Sequence, residues 1–123
     1  MTTPSLLVRE KDEVVIVSFN ESKILDPAAI QQIEKEFQDP AIQAATRKKL
    51  LLDFSRVEFL SSMAIGLIVR LHNQCKREGG RLKLCGISSN IMEIFKITGL
   101  RKLLEIYPDG IKALEAFGPP GLG

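Results

Sequence analysis

Apolar residues along the chain fall into short runs typical of strands and longer stretches with helical spacing. The strand-like segments are rich in β-branched residues or alternate polar with apolar positions. One of them, at 50–54, is an apolar run interrupted only by Asp53, as expected for a central strand covered on both faces. The segment at 81–85 alternates, which predicts a strand with one buried face. The predicted strands are 6–9, 13–19, 50–54, 81–85 and a short candidate at 103–107.

Helical spacing marks the two main segments between these strands. Asp26 is a candidate cap, and Pro27 at the first helical position needs no N–H partner. The apolar stripe that follows is expected to end before Pro40, because the residue preceding a proline avoids helical geometry. The longest helix is predicted at 62–78, where apolar residues recur every four positions until Gly79-Gly80.

Two further helices are predicted towards the C-terminus. Asn90 and Glu93 have the spacing of a capping box at the start of the third helix, and a terminal helix opens at Pro108-Asp109. The segment 41–48 fits either a short helical turn or a loop. This alternation of strands and helices predicts a small α/β domain with a mixed sheet of four to five strands and about four helices.

Composition and charge narrow the classes of function. The chain has 123 residues, which suits one domain, and a net charge of +2, too small to predict nucleic-acid binding. No segment is long and apolar enough to span a bilayer. The N-terminus lacks a basic region followed by a long apolar stretch, so we expect no signal peptide. We expect a cytoplasmic protein with neither a membrane nor a nucleic acid as its partner. Cys75 and Cys85 have no metal-site or CxxC spacing and are predicted to be reduced core residues.

Catalytic and cofactor motifs are missing from the sequence. It contains no glycine-rich phosphate loop, no GxSxG turn and no HExxH. We expect the lone His72 to be a partly exposed helix residue and Asp53 to stabilise the turn after its strand through local bonds. These absences predict a protein that is not an enzyme and needs no cofactor or metal.

Two adjacent serines, Ser61 and Ser62, stand where the longest helix begins. Free N–H groups and the positive dipole end of a helix N-terminus can hold an anion. On one interpretation Ser61 caps the helix and Ser62 is simply its next residue. On the other, one hydroxyl is a phosphoacceptor whose phosphate disrupts a docked partner and leaves the fold intact. The residues alone favour the two interpretations equally.

The segment from Asp53 to Ile68 resembles the signature of STAS domains in bacterial anti-sigma factor antagonists. That signature is an apolar strand, a D-x-S/L-x-V-x-F-x-D-S-S/T-G-L-G turn and a helix. Leu25-Asp26, the segment 79–88 and Thr98-Gly99-Leu100 resemble further family motifs in the same order. The resemblance covers about 6–117 and implies a single STAS domain with helices packed mainly on one face of the sheet. We expect a flexible N-terminus at 1–5 and a disordered tail at 118–123.

The resemblance implies a protein–protein switch that regulates transcription. Antagonists of this family bind an anti-sigma factor that is also a serine kinase, and a serine phosphatase reverses the phosphorylation. The phosphorylated serine falls on Ser62. Ser61 replaces the usual Asp, Met63 replaces a second Ser or Thr, and Ala64 replaces a Gly. The implied partner-binding residues are Asp26, Ser61, Ser62, Met63 and Ala64.

Two other functions stay open at this point. The first is a STAS interaction module without phosphorylation, such as a scaffold in a stress-signalling complex or a lipid-transport accessory. The second, from another class, is a small α/β enzyme or nucleotide binder. Phosphate on Ser62 after incubation with a kinase and ATP would favour the switch over the unphosphorylated module. Nucleotide affinity or turnover by the isolated domain would favour the enzyme or nucleotide binder over the switch.

Overall fold

The computed structural model describes residues 4–119, which form a five-stranded mixed sheet, a two-stranded parallel sheet and six helices. The strands are β1 (Leu6–Lys11), β2 (Val14–Phe19), β3 (Lys23–Ile24), β4 (Lys49–Asp53), β5 (Phe59–Leu60), β6 (Arg81–Cys85) and β7 (Ile106–Tyr107). The helices are α1 (Pro27–Glu36), α2 (Pro40–Ala45), α3 (Ser62–Glu78), α4 (Ser89–Thr98), α5 (Leu100–Leu103) and α6 (Gly110–Phe117). The predicted α/β class with a mixed sheet is confirmed, and α2 and α5 are two short helices beyond the four that were expected.

The main sheet has the strand order β1-β2-β4-β6-β7. β1 pairs antiparallel with β2, which follows it directly along the chain, and the remaining pairs are parallel. Strand β4 lies at the centre, and its residues Leu50, Leu51 and Leu52 are at most 1% exposed. This confirms the prediction that both faces of the central strand are covered, because alternate leucines point to opposite faces of the sheet.

Helices cover the two faces of the sheet unequally. The larger core joins one face to α1, α2, α3 and α4. On the other face, Ala113 and Phe117 of α6 pack against Val14, Ile16 and Leu51. The helices therefore lie mainly on one face, as expected, and α6 alone covers the opposite side among the described helices.

Strand β6 departs from its prediction because α6 covers the face that was expected to meet solvent. Lys83 on that face is only 1% exposed. Its Nζ lies 2.7 Å from Glu105 Oε1, 3.4 Å from the Tyr107 hydroxyl and 5.1 Å from the centre of the Phe117 ring. A buried ammonium group needs such partners, since burial of an unpaired charge is costly.

Helix starts also differ in detail from the sequence prediction. Helix α4 is capped by Ser88, whose Oγ accepts the Ile91 N–H at 3.2 Å, so the predicted capping box at Asn90 is wrong. Asp26 occupies the cap position of α1, but its side chain makes no capping bond. The undecided segment 41–48 holds most of α2, which Asp39 caps through a 2.8 Å bond from the Ala41 N–H.

The predicted flexible ends fall largely outside the described residues, which exclude 1–3 and 120–123. Ser5 is buried, and the N–H groups of Ser5 and Leu6 both donate to the Glu36 carboxylate at 3.0 Å. The packed domain therefore includes Ser5, one residue before the predicted domain boundary at residue 6. Between residues 4 and 119, no helix has the length and apolar character needed to cross a membrane.

Candidate functional site at the start of helix α3

The loop from β4 to β5 is anchored by two buried residues. Phe54 and Val57 are at most 1% exposed, and the Val57 N–H donates to the Phe54 carbonyl at 2.9 Å. Asp53 Oδ1 accepts the Ser55 N–H at 2.9 Å and also the Ser55 hydroxyl. Local bonds of this kind are what an Asp contributes to a turn, so the predicted role of Asp53 is confirmed.

The two-stranded sheet fixes the segment before α1 against the segment before α3. Its register pairs Lys23 with Phe59 and Ile24 with Leu60. The Ser61 N–H then donates to the Ile24 carbonyl at 3.0 Å. Asp26 follows that carbonyl by two residues along the chain.

Ser61 is the N-cap of α3. Its backbone is extended, with φ −78° and ψ 165°, and its Oγ accepts the Ala64 N–H at 3.2 Å. Its carbonyl accepts the Ile65 N–H at 3.0 Å, which begins the helical ladder. Ala64 is only 4% exposed, and its side chain packs into the larger core beneath the first turn of α3.

Ser62 is the first residue of α3, and its side chain is exposed. Among residues 4–119 its hydroxyl has no hydrogen-bond partner, unlike that of Ser61. The N–H groups of Ser62 and Met63 belong to the first turn, where the helix offers no acceptor. The first turn also carries no acidic side chain, so the positive end of this 17-residue helix is uncompensated. The position can therefore accept an added negative charge.

Exposed apolar side chains occur next to Ser62 in α3 and in the segments of β3 and β5. Met63 is 52% exposed, Leu25 49% and Phe59 40%. Leu25 and Phe59 come from the two segments that β3 and β5 join. We call Leu25, Phe59 and Met63 the apolar rim of Ser62. Neither Leu25 nor Phe59 was predicted as a site residue, although both belong to the motifs that revealed the family resemblance.

Other reactive side chains lie away from this position. His72 is half-buried in α3, and burial together with Lys76 lowers the pKa of its imidazole. Cys75 and Cys85 are free thiols in the core, as predicted. Burial raises the pKa of Cys75 to about 11 and the pKa of Cys85 to about 12. Both thiols stay protonated at neutral pH and are poor nucleophiles.

Comparisons with known proteins agree with this geometry. The chain is 25% identical over 76 residues to an anti-sigma F factor antagonist from Paenibacillus polymyxa. The match covers 62% of this chain and 65% of the relative, so the chain spans slightly less than two thirds of that relative's length. An anti-sigma-factor antagonist (STAS) domain protein from Planctomyces limnophilus has a similar structure, with a TM-score of 0.82 and 28% identity over 91% of this chain and 97% of that one. The phosphorylated form of the Bacillus cell fate determinant SpoIIAA shares the fold, with a TM-score of 0.66 and 19% identity over 90% and 97%. The STAS domain model matches residues 5–113, and the chain therefore belongs to the STAS domain family.

Proposed function

We propose that this protein is an anti-sigma factor antagonist controlled by phosphorylation of Ser62. It binds an anti-sigma factor through Asp26, the first turn of α3 and the apolar rim of Ser62, and so regulates transcription in the cytoplasm. The anti-sigma factor is also the serine kinase, and a serine phosphatase restores the binding form. The observation that carries the proposal is an exposed, unengaged hydroxyl at the start of α3, on a domain that leaves Leu25, Phe59 and Met63 exposed.

The physical basis of the switch is charge. Phosphorylation adds about −1.5 to −2 charges at neutral pH. The free N–H groups and the positive end of α3 stabilise that charge in the isolated domain. A partner seated on Leu25, Phe59 and Met63 would instead have to cover a phosphate stripped of water. Phosphorylation therefore weakens the complex without unfolding the domain.

Two departures from the family motif support a single acceptor. Met63 replaces the second hydroxyl of the motif, which leaves Ser62 as the one exposed hydroxyl on the first turn of α3. Ser61 replaces the acidic residue and performs its capping role through the 3.2 Å bond to the Ala64 N–H. The cap is therefore preserved while the charge next to the acceptor is removed.

The decisive experiment is incubation of the full chain with its anti-sigma kinase and ATP, followed by mass mapping. We expect one phosphate, on Ser62, and none on Ser62→Ala. Ser89→Ala is a matched control, because Ser89 is also an exposed first residue of a helix. Phosphate on another residue, or its persistence on Ser62→Ala, contradicts the proposal.

Binding to the anti-sigma factor tests the surface itself. Met63→Ala and Phe59→Ala should each weaken the complex, because they remove the exposed apolar area that the partner covers. Ser62→Asp should weaken it about tenfold or more through the desolvation of a charge, whereas Ser62→Ala should bind normally. An unphosphorylated interaction module is the second candidate, favoured by the loss of the acid before Ser62. It predicts binding that depends on Met63 and Phe59 with no phosphate on Ser62.

A further inference from the structure

A cleft lies on the α6 face of the sheet, at the carboxyl ends of the parallel strands, and Leu7 and Phe19 form part of its lining. Ser18 of β2, Asp53 of β4 and Cys85 of β6 pair in register across this edge. Ile16 and Leu51, two residues earlier on their strands, are covered by α6. Beyond them α6 lines no part of the cleft, and a volume of about 320 Å³ stays open. The polar residues that line it are Arg9, Ser18, Asn20, Asp53, Ser55 and Arg56.

Two arginines dominate the charge of this cleft. Arg9 comes from β1 and Arg56 from the loop after β4. Neither guanidinium has a carboxylate partner in the part of the chain that the structure describes. An arginine presents a planar fork of donors that matches a carboxylate or a phosphate. Two unpaired forks at one cleft therefore form an environment suited to an anion.

Asp53 is the acid that lines the cleft, and its charge is already engaged by the protein. Its Oδ1 accepts both the N–H and the hydroxyl of Ser55. With Asp53 held in this way, the lining carries two positive charges against one negative charge.

We propose that this cleft binds a small organic oxyanion, a carboxylate or a phosphate ester. The arginine forks hold the anionic group, and the Ser18 hydroxyl and the Asn20 side chain line the same space. The volume lies at the lower end of the range for small-molecule pockets, which suits a compact metabolite. This site is separate from Ser62, which lies at the start of α3 on the opposite face of the sheet.

The cleft and the start of α3 share one loop. Ser55 and Arg56 belong to the segment that leads through Val57 to β5 and then to Ser62. A ligand held by Arg56 contacts that loop directly. Amide resonances of 54–58 are therefore the natural reporters of binding.

The test is a titration followed by two-dimensional ¹H–¹⁵N NMR, with inorganic phosphate and with succinate in separate samples at fixed ionic strength. We expect saturable shifts at 54–58 and at Arg9, with a Kd on the order of 1 mM for the anion class that fits. Arg9→Gln and Arg56→Gln should each weaken binding about tenfold, since each removes a charged fork. Lys48→Gln is the matched control, because it removes an exposed cation preceding β4, at the other end of that strand.

The outcomes separate cleanly. Shifts with phosphate alone identify a phosphate site, and shifts with succinate alone identify a carboxylate site. Shifts that do not saturate with either anion overturn the proposal. It is equally overturned if Lys48→Gln weakens binding as much as Arg9→Gln, because the effect would then be one of overall charge.

Discussion

Replacement of the two adjacent serines separates the cap of α3 from the exposed hydroxyl of Ser62. Ser61→Ala removes the Oγ that accepts the Ala64 N–H at 3.2 Å. Loss of such a cap costs about 1 kcal/mol of unfolding free energy, within a range of about 0.5–2 kcal/mol. Ser62→Ala removes an exposed hydroxyl without a partner among the described residues, and its effect should stay within about 0.5 kcal/mol.

Urea denaturation measures this difference directly. The midpoint should fall for Ser61→Ala with an unchanged m-value, because the surface exposed on unfolding stays the same. For a domain of 123 residues, a loss of about 1 kcal/mol lowers Tm by roughly 4 °C. Ser62→Asp should keep or slightly raise the stability, by about 0.3–1 kcal/mol at low salt, because the carboxylate meets the positive end of α3.

Helix α4 supplies matched controls. Ser88 caps it with the same 3.2 Å geometry, and its Oγ also donates to the Glu58 carbonyl at 3.0 Å. Ser88→Ala should therefore cost at least as much as Ser61→Ala, and Ser89→Ala should be silent. A Ser62→Ala loss equal to that of Ser61→Ala would refute the reasoning, since the Ser62 hydroxyl would then be structural.

Three further results are expected. Glu105→Gln should lower the free energy of unfolding by about 1–2 kcal/mol, because it leaves the buried Lys83 ammonium without a carboxylate. Lys83→Met should cost less than about 1 kcal/mol, because it removes the buried charge itself. Equal losses for the two variants in urea denaturation would contradict this reasoning. Gly80→Ala should cost about 2–4 kcal/mol of unfolding free energy, because its Cβ would clash with the Thr46 carbonyl oxygen. A near-normal Tm would refute the clash. Burial raises the pKa of Cys75 to about 11 and of Cys85 to about 12, above the ordinary 9.0, so their contribution to stability is complete below about pH 9 and is lost as pH rises through these values. Urea midpoints should fall as pH rises from about 9 towards about 11. Alanine at both cysteines should reduce the fall, and an equal fall in that variant would contradict the assignment.

The elements that the sequence predicted well are those with a long local signal. Helix α3 repeats its apolar residues over 17 positions and ends at Gly79, whose φ of 83° is left-handed. β4 is a run of leucines buried on both sides. The two-residue strands β3 and β5 carry no alternation that a sequence could show. They form because backbone N–H and C=O groups of two loops far apart in sequence hydrogen-bond to each other.

Tertiary contacts explain the remaining differences. The cap of α4 is Ser88 rather than Asn90 because Ser88 also bonds the Glu58 carbonyl, a contact invisible in local spacing. Lys83 looked solvent-facing because α6, which covers it, lies later in the chain. At the candidate site, the preference of serine for the cap position was enough to predict that Ser61 caps α3 and that Ser62 is its first residue. The exposure of Leu25 and Phe59 was not, since it depends on how two loops meet.

The parallel pair of β3 and β5 has an evolutionary consequence. It joins the entry to α1 and the entry to α3 through backbone bonds of Ser22 and Ile24, so neither segment can change length alone without losing register. Insertions and deletions should therefore be absent from 22–26 and 58–62 across related sequences, while the side chains at paired positions change together. Partner specificity would diverge by exchange of such pairs, with the frame that presents them inherited unchanged.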